Sequence, residues 1–315
     1  MIRTATVLST ALLAGWSAVG SAAIYTQDFE VDSTAAWTVN NGPSDAATDF
    51  FFDYSTVGIP AAPNGVGTRG AKLQANLANG IFSGVSASPT GVTLPSTYVL
   101  TFDWWANSVG PFPGGGSGST NLSTFGVGTA GAAAQWPGGT QDSVWFAATG
   151  DGGSSADWRA YSTAAPVGYG EGDPVYTGAS RNAPDPVYAS FGNVAPPAAQ
   201  AALFPNQTGN IQVGAAGFEW HEVQIVKSAT SVKWIVDGVL LANVDPSTVA
   251  FGGSNFFIGH SDINASSSSD VNDAALLFTL IDNINVVPEP ATGMLALAAS
   301  AAGLALVRRR RGLRG

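Results

Sequence analysis

Short apolar and aromatic runs, separated by segments rich in Gly, Pro, Ser and Asn, recur along most of this chain. The 39 glycines and 18 prolines disfavour long helices, because these two residues are the poorest helix formers. Runs of this length, spaced by turn residues, predict an antiparallel β-sandwich. Seven such runs lie at 48–55, 98–108, 123–131, 142–150, 218–227, 231–245 and 255–262.

The segment VKWIVDGVLLANV carries the clearest local signal. Asp237-Gly238 lies between two apolar runs and predicts a two-residue type I′ hairpin turn. The preceding run, GFEWHEVQIVK, is expected to pair as a third strand. Two segments without a strand pattern, 109–120 and about 163–207, are expected to form long loops, which in such a domain are either functional or disordered.

The first 23 residues have the order of a signal peptide. Arg3 gives a basic start, residues 11–19 form an apolar centre, and Ser21 and Ala23 fit the small positions of a cleavage site. We therefore expect export by the secretion machinery, removal of residues 1–23 by signal peptidase, and a mature chain that begins at Ile24. A buried first helix is the alternative.

The C-terminal residues combine an apolar run with clustered positive charge. Ala291 to Val307 is an uncharged run of 17 residues, near the lower limit for a transmembrane helix. Positive charge directly after such a run holds that end of the chain in the cytoplasm. The charges belong to Arg308, Arg309, Arg310 and Arg311. Before the run, Pro288 and Pro290 flank Glu289 and favour an extended backbone.

Val287-Pro288-Glu289-Pro290, the apolar run and the terminal arginines together resemble the PEP-CTERM sorting signal of Gram-negative and related bacteria. The resemblance implies recognition by an exosortase, a membrane transpeptidase-like enzyme of strains that make exopolysaccharide, and processing near Pro288–Pro290. It implies transient anchoring in the inner membrane, followed by transfer to the cell envelope or extracellular matrix. The chain then divides into a signal peptide (1–23), a β-sandwich domain (24–286) and a sorting signal (287–315).

Residues 217–244 resemble the concanavalin A-like and laminin-G-like jelly rolls, in which a Trp-His strand precedes a strand ending in Asp-Gly. The expected fold is all-β, a two-sheet antiparallel jelly-roll sandwich with an N-terminal signal helix and a C-terminal transmembrane helix. Many carbohydrate-binding jelly rolls hold a structural Ca²⁺ between a Phe-Glu pair in the first strand and an Asp in the last. That resemblance implies Glu30 and Asp282 as calcium ligands, with Asp28 as a third.

The charge of the predicted body limits its partners. Residues 24–287 contain six basic and 21 acidic residues, a formal charge of −15. Such a surface repels nucleic acid, because nothing neutralises the phosphates, and it repels anionic polysaccharide unless cations bridge the two. The chain contains no cysteine, so neither disulfides nor thiol chemistry take part.

The sequence carries no motif of a catalytic centre. It contains no Glu-x-Asp-x-Glu spacing of the laminarinase type, no Gly-x-Ser-x-Gly elbow and no P-loop. On a strand, Glu219 and His221 share one face and Glu222 takes the other, so His221 is expected to be structural. We expect a non-catalytic protein. The alternative is a carbohydrate-active hydrolase of the jelly-roll type, whose paired carboxylates meet only in the fold.

The tryptophans are the remaining candidates for a ligand site. Neighbouring strand residues point to opposite faces, so we expect Trp104 or Trp105 on an exposed or concave face. Trp136 and Trp158 flank Gly-rich loops. Aromatic rings beside polar loops are typical of sugar-binding sandwiches, although tryptophans more often belong to the core. The sequence thus predicts an envelope or matrix component that contacts polysaccharide through these rings, or one that only packs at the surface.

Overall fold

The computed structural model describes residues 22–43, 45–78, 80–114, 120–264 and 270–289. In these ranges the chain forms fourteen β-strands, and the α-helices described there are the short α1 (Ala198–Leu203) and α2 (Asp273–Leu276). The strands are β1 (Tyr25–Gln27), β2 (Trp37–Asn41), β3 (Ala46–Asp53), β4 (Arg69–Ala75), β5 (Ser83–Pro89), β6 (Tyr98–Asn107), β7 (Asn121–Thr129), β8 (Val144–Thr149), β9 (Trp158–Tyr161), β10 (His221–Lys227), β11 (Val232–Val236), β12 (Val239–Val244), β13 (Asn255–Asp262) and β14 (Phe278–Pro288).

The strands form two sheets, which we name sheet A and sheet B. Sheet A has the order β12-β11-β10-β6-β14-β4-β3, and β1 pairs with β14 beside this path. Sheet B has the order β2-β5-β13-β7-β8-β9. Every ladder between these strands is antiparallel. The prediction of an all-β, two-sheet antiparallel sandwich is confirmed.

The two sheets pack face to face around an aromatic core. Trp104 of β6 lies 5.4 Å from Phe125 of β7, measured between ring centroids. Trp158 of β9 lies 5.5 Å from Trp234 of β11 in the same way. These rings are buried between the sheets, and removal of their apolar surface from water drives the sheets together.

The predicted hairpin is present. Val236 and Val239 are opposite each other at the end of β11 and the start of β12. Between them, Asp237 and Gly238 have φ angles of 48° and 79°, as a type I′ turn requires. The predicted third strand, β10, pairs with β11.

Two segments cover part of the outer face of sheet A. One is the start of the predicted loop 109–120; the other runs from the end of the predicted loop 163–207 to Phe218, which the sequence predicts as the start of a strand but which precedes β10 (His221–Lys227). Trp105 of β6 points outward, and its ring contacts Phe218 at a centroid distance of 6.4 Å. Phe112 packs on the same Phe218 at 5.1 Å. Segments 108–114 and 204–218 therefore form a third layer, with its own small apolar cluster.

A bulge in β14 separates two parts of this strand. The pairing register with β6 shifts between Asp282 and Asn285, and Asn283 has a φ of 52°. Before the bulge β14 pairs with β4, and after it β14 pairs with β1. A bulge redirects the side chains of the residues in it, and the candidate site is built around this one.

Candidate functional site

Three acidic residues form a row across neighbouring strands of sheet A. Glu222 on β10 is opposite Asp103 on β6, and Asp103 is opposite Asp282 on β14. Residues directly opposite in a ladder share one face of the sheet. Their neighbours Phe102 and Trp104 belong to the core between the sheets, so the acidic row lies on the outer face.

Asp103 lies at the centre of the row and is fully buried. Its Oδ1 accepts a hydrogen bond from Asn64 Nδ2 (2.7 Å), and its Oδ2 accepts from Asn64 N (3.1 Å) and Asn283 Nδ2 (2.8 Å). The β14 bulge aims Asn283 at this carboxylate. Three N–H donors thus compensate for the loss of water that burial of a carboxylate entails.

A close turn brings Asn64 to Asp103. The segment Pro63-Asn64-Gly65 has the composition of a tight turn. A Cβ atom at Gly65 would lie 1.9 Å from Asn283 Oδ1, so only glycine allows this approach. The turn and the bulge therefore close over Asp103 from two sides.

Asp282, at the β14 end of the row, has a strongly raised pKa. The pKa of Asp282 is raised to about 7, mainly by burial and to a smaller extent by the negative charges of Asp103 and Glu30; hydrogen bonds from Asn283 N and the Tyr54 hydroxyl act in the opposite direction. The donor distances are 2.7 Å from Asn283 N to Oδ1 and 3.1 Å from the Tyr54 hydroxyl to Oδ2. Asp282 therefore titrates near neutral pH, although it is sealed from solvent.

Beside the row, sheet A carries a polar groove made of two adjoining depressions, of about 160 and 420 Å³. We name it the sheet A groove. Both depressions contain Asn64, Asn283 and Asn285, the smaller one adds Thr101, Phe102, Asp103 and Glu222, and the larger one adds Thr26, Gln27, Asp28 and Ile284. The lining contains carboxylates and amides but no Lys or Arg side chain.

One lining atom has no partner. Asn285 Oδ1 is buried and accepts no hydrogen bond from the described residues. A buried acceptor without a donor costs free energy. Rotation of the Asn285 side chain toward the groove would let a ligand hydroxyl supply the donor. Glu222, at the other end of the smaller depression, is partly exposed, and its Oε1 accepts from Gln224 Nε2 at 2.5 Å. Chemically, the groove suits a ligand rich in hydrogen-bond donors.

The predicted calcium ligands lie near this region. Asp28 lines the larger depression, and its Oδ1 accepts from Glu30 N at 3.3 Å. Glu30 Oε1 accepts from Arg69 N at 3.1 Å. In the described ranges, no three His, Cys, Asp or Glu side chains converge closely enough to hold a metal ion. Because Asp28, Glu30 and Asp282 do not form such a group, calcium binding stays a prediction.

The four predicted sugar-binding tryptophans are all buried. Trp104 and Trp158 face the core between the sheets, and Trp105 lies under the loop layer on sheet A. Trp136 is 8% exposed and lies against Phe82. The expectation that Trp104 or Trp105 presents an open ring is wrong, because loops cover the outward face of β6 at this point. These rings stabilise the fold.

The sorting motif begins inside the last strand. Val287 is opposite Val99 and Pro288 is opposite Tyr98 in the ladder between β14 and β6. Glu289 follows the strand, whereas Pro290 and Arg308 to Arg311 lie outside the described residues, as do residues 1–21 of the predicted signal peptide. In the described part of the chain, no helix has the length and apolar character needed to cross a membrane.

Sequence reasoning missed the centre of the site. It considered Glu222 only as a neighbour of His221, and it did not select Asp103, Asn64 or Asn283. His221 is structural, as predicted: its ring nitrogens contact Asp237 Oδ2 (2.7 Å) and Ala216 O (3.1 Å). The one available signal was Asp103 itself, an acid within the aromatic strand segment FDWW.

Comparison with known proteins agrees with the sequence at the C-terminus. Residues 286–311 match the PEP-CTERM protein-sorting motif. The chain is thus a two-sheet β-sandwich protein that carries a PEP-CTERM sorting signal, the mark of an exported, membrane-processed protein. No curated protein sequence matches it.

Several solved structures are similar to the body of the chain. They include the potassium-bound carbohydrate recognition domain of Emp46p (11% identity, 85% of this chain and 98% of that chain, TM-score 0.40). They also include the Ca²⁺/Man-bound exoplasmic/lumenal domain of VIP36 (6%, 84% and 90%, 0.44) and the Crh5 transglycosylase in complex with NAG (12%, 86% and 86%, 0.40). Similarities this weak carry no information on ligand, metal or reaction.

Proposed function

We propose that this protein is an exosortase-processed component of the cell envelope or extracellular matrix. Its sandwich body acts as a non-catalytic module that contacts exopolysaccharide through the sheet A groove. The sorting motif at residues 286–311 supports the first part of the proposal. The groove, rather than the tryptophans, supports the second.

The observation that carries the binding role is the chemistry of the groove lining. Asn285 Oδ1 is a buried acceptor without a partner, and Glu222 is a partly exposed acceptor at the opposite end. Sugar hydroxyls are donors that amide and carboxylate oxygens bind with good geometry.

The charge of the groove favours a neutral glycan there. Asp28, Asp103 and Glu222 line it, and no cationic side chain does. An anionic sugar would meet like charge without compensation.

The groove also lies close to the processed end of the chain, because Asn285 is two residues before Val287. Bound glycan would thus lie near the site at which the protein leaves the membrane.

The proposal is tested by glycan binding of the mature protein recovered from its envelope fraction. Titration with the exopolysaccharide of the host strain, followed calorimetrically, is expected to show binding. Glu222→Gln should weaken it about threefold to tenfold, since a charged acceptor is lost. Glu219→Gln makes the same chemical change outside the groove and should leave the affinity unchanged. Absence of binding would refute the binding role, and equal loss in both variants would refute the groove as its location.

A carbohydrate-active hydrolase is the second candidate, and the acidic row is the observation that favours it. Glycosidases use paired carboxyl groups, one of which has a raised pKa, and Asp282 has such a pKa. Against it, Asp103 and Asp282 are 0% and 1% exposed, which leaves Glu222 alone able to reach a bound chain. Release of reducing ends from the exopolysaccharide, abolished in Glu222→Gln, would establish this activity in place of simple binding.

A further inference from the structure

The outer face of sheet B carries a second cavity that the proposed function does not use. It has a volume of about 530 Å³, and its walls include Phe82, Arg159, Tyr161, Pro166, Val167 and Ile263. We name it the sheet B cavity. Trp158 and Ala160 of β9 point into the core, so Arg159 and Tyr161, which alternate with them, point away from sheet A. The cavity and the sheet A groove thus lie on opposite sides of the sandwich.

The aromatic wall of this cavity is rigid. The Tyr161 ring stacks on Trp145 with centroids 3.9 Å apart and planes 6° apart. Trp145 Nε1 donates to Gln141 Oε1 at 3.2 Å, and the Gln141 amide donates in turn to the Pro166 carbonyl. These bonds tie the loop after β9 to the loop before β8. A preformed wall lowers the entropy cost of binding a ligand.

The rim of the cavity exposes apolar side chains to water. Val167 is 91% exposed, and Phe82 is 37% exposed. Phe82 is held in place by Trp136, at a ring-centroid distance of 5.5 Å. An open depression with mostly apolar walls and few polar groups is typical of a small-molecule site.

Arg159 is the one charged residue of the lining. Its Nε donates to Ala156 O (2.6 Å) and its Nη2 donates to Ser154 Oγ (2.9 Å). These bonds fix the guanidinium but leave its charge without a counterion: the ion pairs among the described residues are Arg181–Glu171 and His221–Asp237. Arg69, Lys72, Lys227 and Lys233 have no ion pair among the described residues either. What distinguishes Arg159 is its place in the wall of an apolar cavity.

We propose that the sheet B cavity binds a carboxylated sugar ring, such as a hexuronate unit of an acidic polysaccharide. The apolar face of the ring contacts the exposed side chains of Phe82 and Val167, and the carboxylate pairs with Arg159. Guanidinium and carboxylate match in geometry as well as in charge. The net negative charge of the body does not prevent this, because it is screened beyond about 8 Å at physiological ionic strength. With the sheet A groove on the other side, the body would hold two polysaccharide segments at once.

The test is calorimetric titration of the mature protein with trigalacturonate and with neutral cellotriose. Trigalacturonate is expected to bind at least tenfold more tightly in the wild type than in Arg159→Gln, and Arg159→Lys should retain part of the affinity because it keeps the charge. In the Glu222→Gln variant of the groove, trigalacturonate binding should be unchanged. The inference rests on the proposed polysaccharide-binding role, but the two are tested separately: Glu222→Gln tests the sheet A groove, and Arg159→Gln tests the sheet B cavity.

A second pair of variants tests the cavity without changing Arg159, so a folding defect of the Arg159 variants cannot affect the result. Val167→Asp places a carboxylate on the rim and should weaken trigalacturonate binding about threefold by charge repulsion. Val271→Asp makes the same change at a residue that is 95% exposed and does not line the cavity, and it should have no effect. Equal affinity for trigalacturonate in wild type, Arg159→Gln and Val167→Asp would overturn the proposal. It would also be overturned if Arg159→Gln weakened cellotriose binding as much as trigalacturonate binding.

Discussion

The backbone N–H of Ile24 donates a hydrogen bond to the carbonyl of Val286, with an N–O distance of 2.7 Å. Ile24 is the predicted first residue of the mature protein, and Val286 directly precedes the predicted sorting motif. The pairing continues with Tyr25 opposite Val286 in the ladder between β1 and β14. The two ends of the body therefore meet at one place in sheet A, beside the groove.

This pairing leads to a prediction about processing. We expect the protein recovered from its native envelope or matrix fraction to begin near Ile24 and to end close to Val287–Pro290. Val287 and Pro288 are held in β14 opposite Val99 and Tyr98, so a cut between these two residues requires this end of the strand to open, whereas a cut after Pro288 does not. Intact-mass spectrometry measures both ends. A species that keeps residues 308–315 would rule out exosortase-type processing and leave a permanent single-span anchor.

The close turn over Asp103 predicts the effect of a single methyl group. Gly65→Ala should displace the Asn283 side chain and break its hydrogen bond to Asp103, because the added Cβ would lie 1.9 Å from Asn283 Oδ1. Loss of this bond to a buried carboxylate should lower the free energy of unfolding by about 1.5–3 kcal/mol. Urea denaturation measures it. Gly170→Ala is the matched control, since a Cβ there meets no atom within 4 Å; comparable losses in both would contradict the account.

Because the pKa of Asp282 is raised in the folded protein, we expect the free energy of unfolding to fall as pH rises. Its pKa is about 7 in the folded protein against an ordinary value of 3.8. Between these values the folded state keeps the proton and the unfolded state loses it, so stability declines from about pH 4 to pH 7. Between these pH values the free energy of unfolding of the wild type should fall by at most about 4 kcal/mol because of Asp282. Asp282→Asn should abolish this fall.

Denaturation at several pH values compares wild type with Asp282→Asn. Asp245→Asn is the control, because hydrogen bonds from Ser247 lower the pKa of the exposed Asp245. Its contribution to stability is present above the ordinary pKa and is lost as pH falls. The two variants should therefore shift the pH profile in opposite directions. Parallel profiles for wild type and Asp282→Asn would show that Asp282 titrates normally.

Calcium binding by Asp28, Glu30 and Asp282 is open to a direct test. If the ion binds the folded state alone, about 5 mM CaCl₂ at pH 8 raises the Tm of the wild type. The same concentration of MgCl₂ should raise it less, because Mg²⁺ demands a stricter geometry. Asp282→Asn should abolish the calcium effect. An unchanged Tm in the wild type would reject the calcium hypothesis.

The strands that the sequence identified are those with aromatic or β-branched runs, such as β6 and β13. Two of the strands that it missed are polar or rich in small residues, namely β4 (RGAKLQA) and β5 (SGVSASP). Both lie inside a sheet. Their pairing is decided by neighbours on both sides, and intrinsic strand propensity is too weak to reveal it.

The sequence by itself determined the β class, the Asp237-Gly238 turn and the C-terminal sorting motif, because each depends on residues that are close along the chain. Only the tertiary structure decided the candidate sites. The acidic row joins Glu222, Asp103 and Asp282 through the register of three strands that are far apart in the chain, and no turn between consecutive strands sets that register. The burial of Trp105 likewise depends on a distant segment, because a loop more than a hundred residues later in the chain covers its ring. Contacts between distant segments are set by packing of the whole chain.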